Sequence, residues 1–223
     1  MKWHSILKTS NLVAHRGFWK DPEEKNTLKA ISYAFDNGFS VETDLRDASY
    51  DIVISHDPPL LSNCVTFSDL LEVYKAKKIG NSQLALNVKS DGIDVLIQKE
   101  LKKHGITDKD YYLFDMSVPD MINYVNSNSI IYTRYSEYED CSFLSSCSGV
   151  WVDNFTGVAN QIGIAEKILE QGLKAVIVSS ELHGRDYKVL WTELLSSGLT
   201  DSENLSICTD FPMEAKTFFG INQ

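Results

Sequence analysis

Short β-branched or apolar runs alternate with segments of helical periodicity along nearly the whole chain, the pattern of a parallel sheet wrapped by helices. The runs lie at 11–14, 40–45, 83–88, 111–114, 129–132, 149–153, 174–178 and 205–208, and a further short one at 51–55 reads as a hairpin arm. Between them, 27–37, 67–77, 92–104, 119–126, 163–171 and 186–197 carry apolar residues three and four apart, as amphipathic helices do. The crossover around 137–146 has the weakest helical pattern. Asn26 and Thr27 can cap the first helix, and Gly38, Gly105, Gly172 and Gly198 fall where helices end. Eight βα units closing on themselves make a TIM (β/α)8 barrel, here a compact one with a small hairpin insertion after strand 2, and 1–223 reads as a single domain. An open doubly wound sheet is the structural alternative. No Gly-rich phosphate loop follows the first strand, which removes the usual reason to prefer it.

Charge narrows the partners. The chain holds 21 Lys and Arg against 31 Asp and Glu, a formal charge of −10, and its lysine groups at 75–78 and 99–103 are sparse. Such a surface repels polyphosphates and anionic lipid, so no nucleic acid is expected as a partner. Segment 1–10 lacks the apolar run of a signal peptide, and no later stretch approaches the ~18 apolar residues of a membrane span. The expectation is a cytoplasmic protein without stable membrane insertion. Cys64, Cys141, Cys147 and Cys208 show no CxxC spacing and read as small reduced hydrophobes.

The first strand ends in Ala14-His15-Arg16-Gly17, which puts a histidine and an arginine where a barrel exposes its active site. In Val41-Glu42-Thr43-Asp44 the two acids are i and i+2, so on a strand both carboxylates leave one face. Two acids held together repel unless a cation joins them, and carboxylate oxygens are what Mg²⁺ or Ca²⁺ prefers. The run at 51–55 leads into His56-Asp57-Pro58-Pro59, a second histidine followed by a rigid turn; Asp57 either orients His56 or starts that turn.

Taken together, AHRG at 14–17, NTL at 26–28, ETD at 42–44 and ISHD at 54–57 resemble the glycerophosphodiester phosphodiesterase family, whose chains carry HRG, ENT, ExD and HD in that order. Thr209-Asp210-Phe211-Pro212 after the last strand resembles the TDxP with which these barrels commonly close. The resemblance implies that His15 and His56 are the acid/base pair, that Glu42 and Asp44 bind a divalent cation, Mg²⁺ or Ca²⁺, and that Arg16 touches the phosphate. Phosphodiester cleavage needs a positive centre, a base for the incoming hydroxyl and an acid for the departing alkoxide, and two histidines can exchange the last two tasks. The implied reaction releases glycerol 3-phosphate and an alcohol from a small phosphodiester.

The chain departs from the family pattern on the third strand. Leu86-Asn87-Val88-Lys89 has Asn87 where the family has a metal-ligating glutamate, while Lys89 is retained as a phosphate contact. An amide oxygen still ligates such cations, but one charge fewer weakens binding. Glu24-Lys25 precedes Asn26 where the family has Glu and Asn adjacent, which alters the first active-site loop. Ser180-Glu181-Leu182-His183-Gly184-Arg185 lies where many barrels bind phosphate, making Arg185 or His183 a contact for the non-glycerol part of a substrate; a polar loop ending in a helix cap is the plainer reading. Trp151, Asp153 and Phe155 alternate at the end of the sixth strand, and an aromatic wall beside an acid suits a choline-like or sugar group, whereas Arg134 is a second anion contact or a surface residue. Two further readings stand beside the leading one. One is metal-independent cleavage like that of phosphatidylinositol-specific phospholipases C, and the other is a catalytically weakened barrel that binds phosphoglycerol or phosphosugar groups.

Overall fold

Residues 6–49, 51–59 and 64–222 are described by the computed structural model, so half of segment 1–10 lies outside the described residues. Eight strands run parallel: β1 (Leu12–His15), β2 (Ser40–Ala48), β4 (Leu84–Val88), β5 (Tyr111–Phe114), β6 (Tyr132–Tyr135), β7 (Gly149–Val152), β8 (Lys174–Val178) and β9 (Leu205–Thr209). The ninth, β3 (Asp51–Ile54), pairs antiparallel with the extended end of β2, as the hairpin insertion requires. The sheet order is β5-β4-β2-β1-β9-β8-β7-β6, and the ends meet through a single bridge, Leu113 with Ile131, with Leu113 N donating to Ile130 O at 2.8 Å. This nearly closed sheet with alternating helices is the expected TIM barrel, not an open doubly wound sheet.

Strand parity builds two cores. Outward residues such as Leu12, Val41, Leu86, Val150 and Ile177 pack under the helices, while inward Val13, Ala85, Tyr112, Phe114, Tyr132, Trp151, Val176 and Cys208 fill the barrel. Polar side chains cap the helices as their sequences suggest. Thr27 accepts from Ala30 N at 3.2 Å at the head of α1 (Leu28–Asp36), and Thr66 and Asp69 form a capping box on α2 (Phe67–Lys77). The other helices are α3 (Asp94–Lys103), α4 (Val118–Asn126), α5 (Gln161–Glu170), α6 (Tyr187–Ser197) and α7 (Pro212–Phe218).

Three local expectations are corrected. The fifth parallel strand is Tyr132–Tyr135 rather than 129–132, because the inward residues that pair with β7 are Tyr132 and Arg134, and Ile130 and Ile131 only touch β5. The crossover at 137–146 forms no α-helix; a Ser136–Glu139 bridge and a 3-10 turn at Leu144–Ser146 span it. The helix α7 was not anticipated, its start hidden by Pro212, which serves at the first helical position. Among the described residues no helix is long and apolar enough to cross a membrane.

Candidate active site

Parallel strands deliver their C-terminal ends to one mouth, and the inward residues there change from apolar to charged. The loop leaving β1 turns sharply: Arg16 sits at φ +58 and Gly17 at φ +93. A Cβ on Gly17 would lie 2.7 Å from the Ala30 carbonyl carbon and 2.9 Å from Ile31 N, so glycine is what lets this loop rest on the first turn of α1. Asn26 and Asp115 are also left-handed, at φ +61 and +72, and both point polar groups into the site.

His15 is held from one side. Its Nδ1 lies 2.6 Å from Asp210 Oδ1, and its Nε2 faces Glu42 Oε2 at 3.9 Å. Asp210 follows β9, the sheet neighbour of β1, and its other oxygen accepts from Lys25 Nζ at 3.1 Å. Lys25 also stands over the Trp19 ring, 4.4 Å from its centroid. Burial pushes the Asp210 carboxyl up, but the hydrogen bond and charge of His15, with Lys25, outweigh it and hold the group below its ordinary value.

Glu42 and Asp44 are brought together on the inner face of β2, with Asn87 of β4 in register beside Asp44. Both acids are essentially inaccessible to solvent. Asp44 Oδ2 accepts from Asn26 Nδ2 at 2.9 Å and lies 2.9 Å from Arg16 Nε, a charge contact that is not a directed hydrogen bond. Asp44 Oδ1 has no hydrogen-bond partner; Lys89 Nζ stands 3.6 Å from it and 3.2 Å from Asp115 Oδ2. Asn87 Nδ2 donates to Glu42 Oε1 at 3.3 Å, leaving Asn87 Oδ1 buried and unpartnered. Burial, then the adjacent Asp44, pushes the Glu42 carboxyl up, against the pull of His15, Arg16 and Lys89.

A divalent cation fits this donor set. Glu42, Asp44 and Asn87 offer oxygens from two adjacent strands, and two of those oxygens, Asp44 Oδ1 and Asn87 Oδ1, are buried without a hydrogen bond, a condition that costs free energy and that a cation would relieve. Among the described residues no group of three or more His, Cys, Asp or Glu side chains gathers as a metal site, because the third donor is an amide.

The remaining expected residues lie apart from this cluster. His56, just after β3, pairs Nδ1 with Asp57 Oδ1 at 2.9 Å, but its side chain is 48% exposed and that of Asp57 87%. Trp151 is buried inside the barrel, stacked on Phe114 with centroids 4.0 Å apart. Arg185 donates to the carbonyl oxygens of Phe155, at 2.6 Å, and Asn154, clamping the loop after β7. Arg134 is bonded to Asp115 at 2.5 Å and to Glu139. Sequence reasoning gave no site role to Asp210 or Lys25 and read Asn26 as a helix cap, whereas Thr27 is the cap and Asn26 bonds Asp44 and Thr43. The signal for Asp210 was the TDxP after the last strand, which in a closed barrel must adjoin the first.

No family model matches the chain, and no curated protein matches it. Solved structures do. A glycerophosphodiester phosphodiesterase from Parabacteroides distasonis superposes with a TM-score of 0.71 at 16% identity, covering 94% of this chain and 96% of that one. A phosphodiesterase from Oleispira antarctica, in complex with the product sn-glycerol-3-phosphate, gives the same values, a TM-score of 0.71 at 16% identity over 94% and 96% of the two chains. A Ca²⁺-dependent phosphatidylinositol-specific phospholipase C from Streptomyces antibioticus matches with a TM-score of 0.58 at 10% identity, over 96% of this chain and 98% of that one. At such identities the likeness establishes the fold, and chemistry must be argued from the site.

Proposed function

We propose that this barrel is a phosphoric diester hydrolase that cleaves a glycerophosphodiester to glycerol 3-phosphate and an alcohol. The observation that carries the reading is the His15–Asp210 pair at 2.6 Å, set against the buried acids Glu42 and Asp44 with Arg16 and Lys89 beside them. A histidine base, an oxygen-donor cation site and two fixed cations are the parts that diester cleavage needs. The neighbours named above, one holding glycerol 3-phosphate, support the substrate class.

In this reading His15 takes the proton of the attacking hydroxyl at Nε2, while Asp210 fixes the ring through Nδ1 and stabilises the imidazolium that forms. Arg16 and Lys89 hold the phosphate oxygens that gain charge. Glu42, Asp44 and Asn87 would hold Mg²⁺ or Ca²⁺, which when bound supplies a Lewis-acid centre for a phosphoryl oxygen. The motif resemblance expects His56 for the second proton transfer.

The test is hydrolysis of glycerophosphocholine and other glycerophosphodiesters, followed as released glycerol 3-phosphate, with Mg²⁺, Ca²⁺ or chelator and with His15→Ala as control. Turnover that the variant loses is the expected result. Activity that survives chelation would assign the positive centre to Arg16 and Lys89 alone, as in the metal-independent reading. No turnover with any diester in any metal would refute the proposal.

A further inference from the structure

The mouth holds a third histidine–carboxylate pair, one that none of the resembling motifs contains. Asp153 follows the end of β7, two residues past the inward Trp151, and is 6% exposed. His183 ends the 3-10 turn Ser180–His183 after β8, and its Nε2 lies 2.7 Å from Asp153 Oδ1, which also accepts from Asn154 N at 2.8 Å. The imidazole packs against the Phe155 ring with centroids 4.9 Å apart. The turn that carries it is tied to the first pair: Glu181 Oε1 accepts from Asp210 N at 3.1 Å and from the Thr209 hydroxyl. One hydrogen-bonded frame over the adjacent ends of β7, β8, β9 and β1 therefore fixes both His15–Asp210 and His183–Asp153. The His56–Asp57 contact has no such support, being largely in solvent.

We infer that His183, oriented by Asp153, is the proton donor to the departing alcohol. This assignment rests on the phosphodiesterase reading above and completes it on the rim facing away from β3. The bond from phosphorus to the incoming oxygen forms as that oxygen loses its proton to His15 Nε2. The bond from phosphorus to the alcohol oxygen breaks as that oxygen keeps the electron pair and takes the proton from His183 Nδ1. Asp153 accepts the Nε2–H throughout, which leaves Nδ1 as the nitrogen that gives up the proton and sets a buried counter-charge beside the imidazolium. Water then returns a proton to His183 and removes one from His15.

The leaving group decides the matter. The wild type, His183→Gln, Asp153→Asn and His56→Gln are assayed on two diesters that share the glycerophosphoryl part. One releases choline, whose alkoxide needs protonation, and the other 4-nitrophenol, whose phenolate leaves without it. We expect His183→Gln to lose roughly 10²–10³ in kcat on the choline ester and less than about tenfold on the nitrophenyl ester, the range of general-acid catalysis. Asp153→Asn should show the same imbalance more weakly, which keeps the test in hand if the histidine variant fails to fold. An active wild type with equal losses on both esters, or no loss, in the His183 and Asp153 variants would overturn the assignment, as would an imbalance found only in His56→Gln. A wild type that cleaves neither ester would instead refute the phosphodiesterase reading, and this assignment with it.

Discussion

Asn87 sets the charge of the site, since it places an amide where a third carboxylate would complete an oxygen cage with Glu42 and Asp44. Asn87→Glu should tighten Ca²⁺ or Mg²⁺ binding by at least about tenfold, read by calorimetry without any substrate, because charge count tunes affinity in such sites. In the proposed reaction Asp210 acts through His15. Asp210→Asn should lower kcat by roughly 10²–10⁴ with little change in KM, the signature of a ring left in the wrong tautomer. These residues differ in how legible they were. Glu42 and Asp44 share a face by strand parity, which is local, whereas Asn87 joined them through the family resemblance and meets Asp44 only by the β2–β4 register. The contacts of His15 with Asp210 and of His183 with Asp153 depend on which strands become neighbours, which no window of sequence contains. Arg185 shows the reverse case: a cation near the mouth reads as an anion contact, yet two backbone carbonyls take its guanidinium.

The β1–α1 joint and the β4–β5 joint show how elements are fixed to each other. Gly17→Ala would place a Cβ within 2.7 Å of backbone at a φ of +93, so it should destabilise the fold by about 2 kcal/mol or more, measured by urea unfolding. Ahead of β5, Asp110 accepts from Tyr74 Oη at 2.9 Å, from Thr107 N at 2.9 Å and Oγ1 at 2.6 Å, and from Lys78. Burial alone would raise its carboxyl, but Lys78, Thr107 and Tyr74 overcome this and lower it from 3.8 to about 2. A folded value below the unfolded one stabilises the protein above pH ~4, and that contribution, about 2 kcal/mol, is lost as pH falls through about 2. Unfolding curves between pH 2 and 7 should show this loss in the wild type and not in Asp110→Asn. Most elements were readable from periodicity and caps. The fifth strand slid by three residues because the apolar run at 129–132 and the alternating Tyr132–Tyr135 overlap, and only the pairing with β7 chooses between them.

Across the whole molecule, closure is uneven. Seven of the joins between parallel strands are full ladders, whereas β5 meets β6 through one bridge, and the crossover after β6 has a 3-10 turn in place of an α-helix. The barrel class was legible from eight alternating units, but this loose seam was not, since the apolar run at 129–132 does not show that only Ile130 and Ile131 of it meet β5. The mouth has a collective property too. Arg16, Lys25, Lys89 and Arg134 each already hold a carboxylate, from Asp44, Asp210, Asp115 and Glu139, on a chain of net charge −10. In the proposed reaction an arriving phosphate meets these four cations already paired and enters by trading places with an internal acid, as on an ion-exchange resin. Long-range attraction does not draw it in, and screening relieves the repulsion. Raising ionic strength to about 0.2 M should leave kcat/KM for an anionic diester unchanged or higher, where an enzyme with an open cationic funnel would slow.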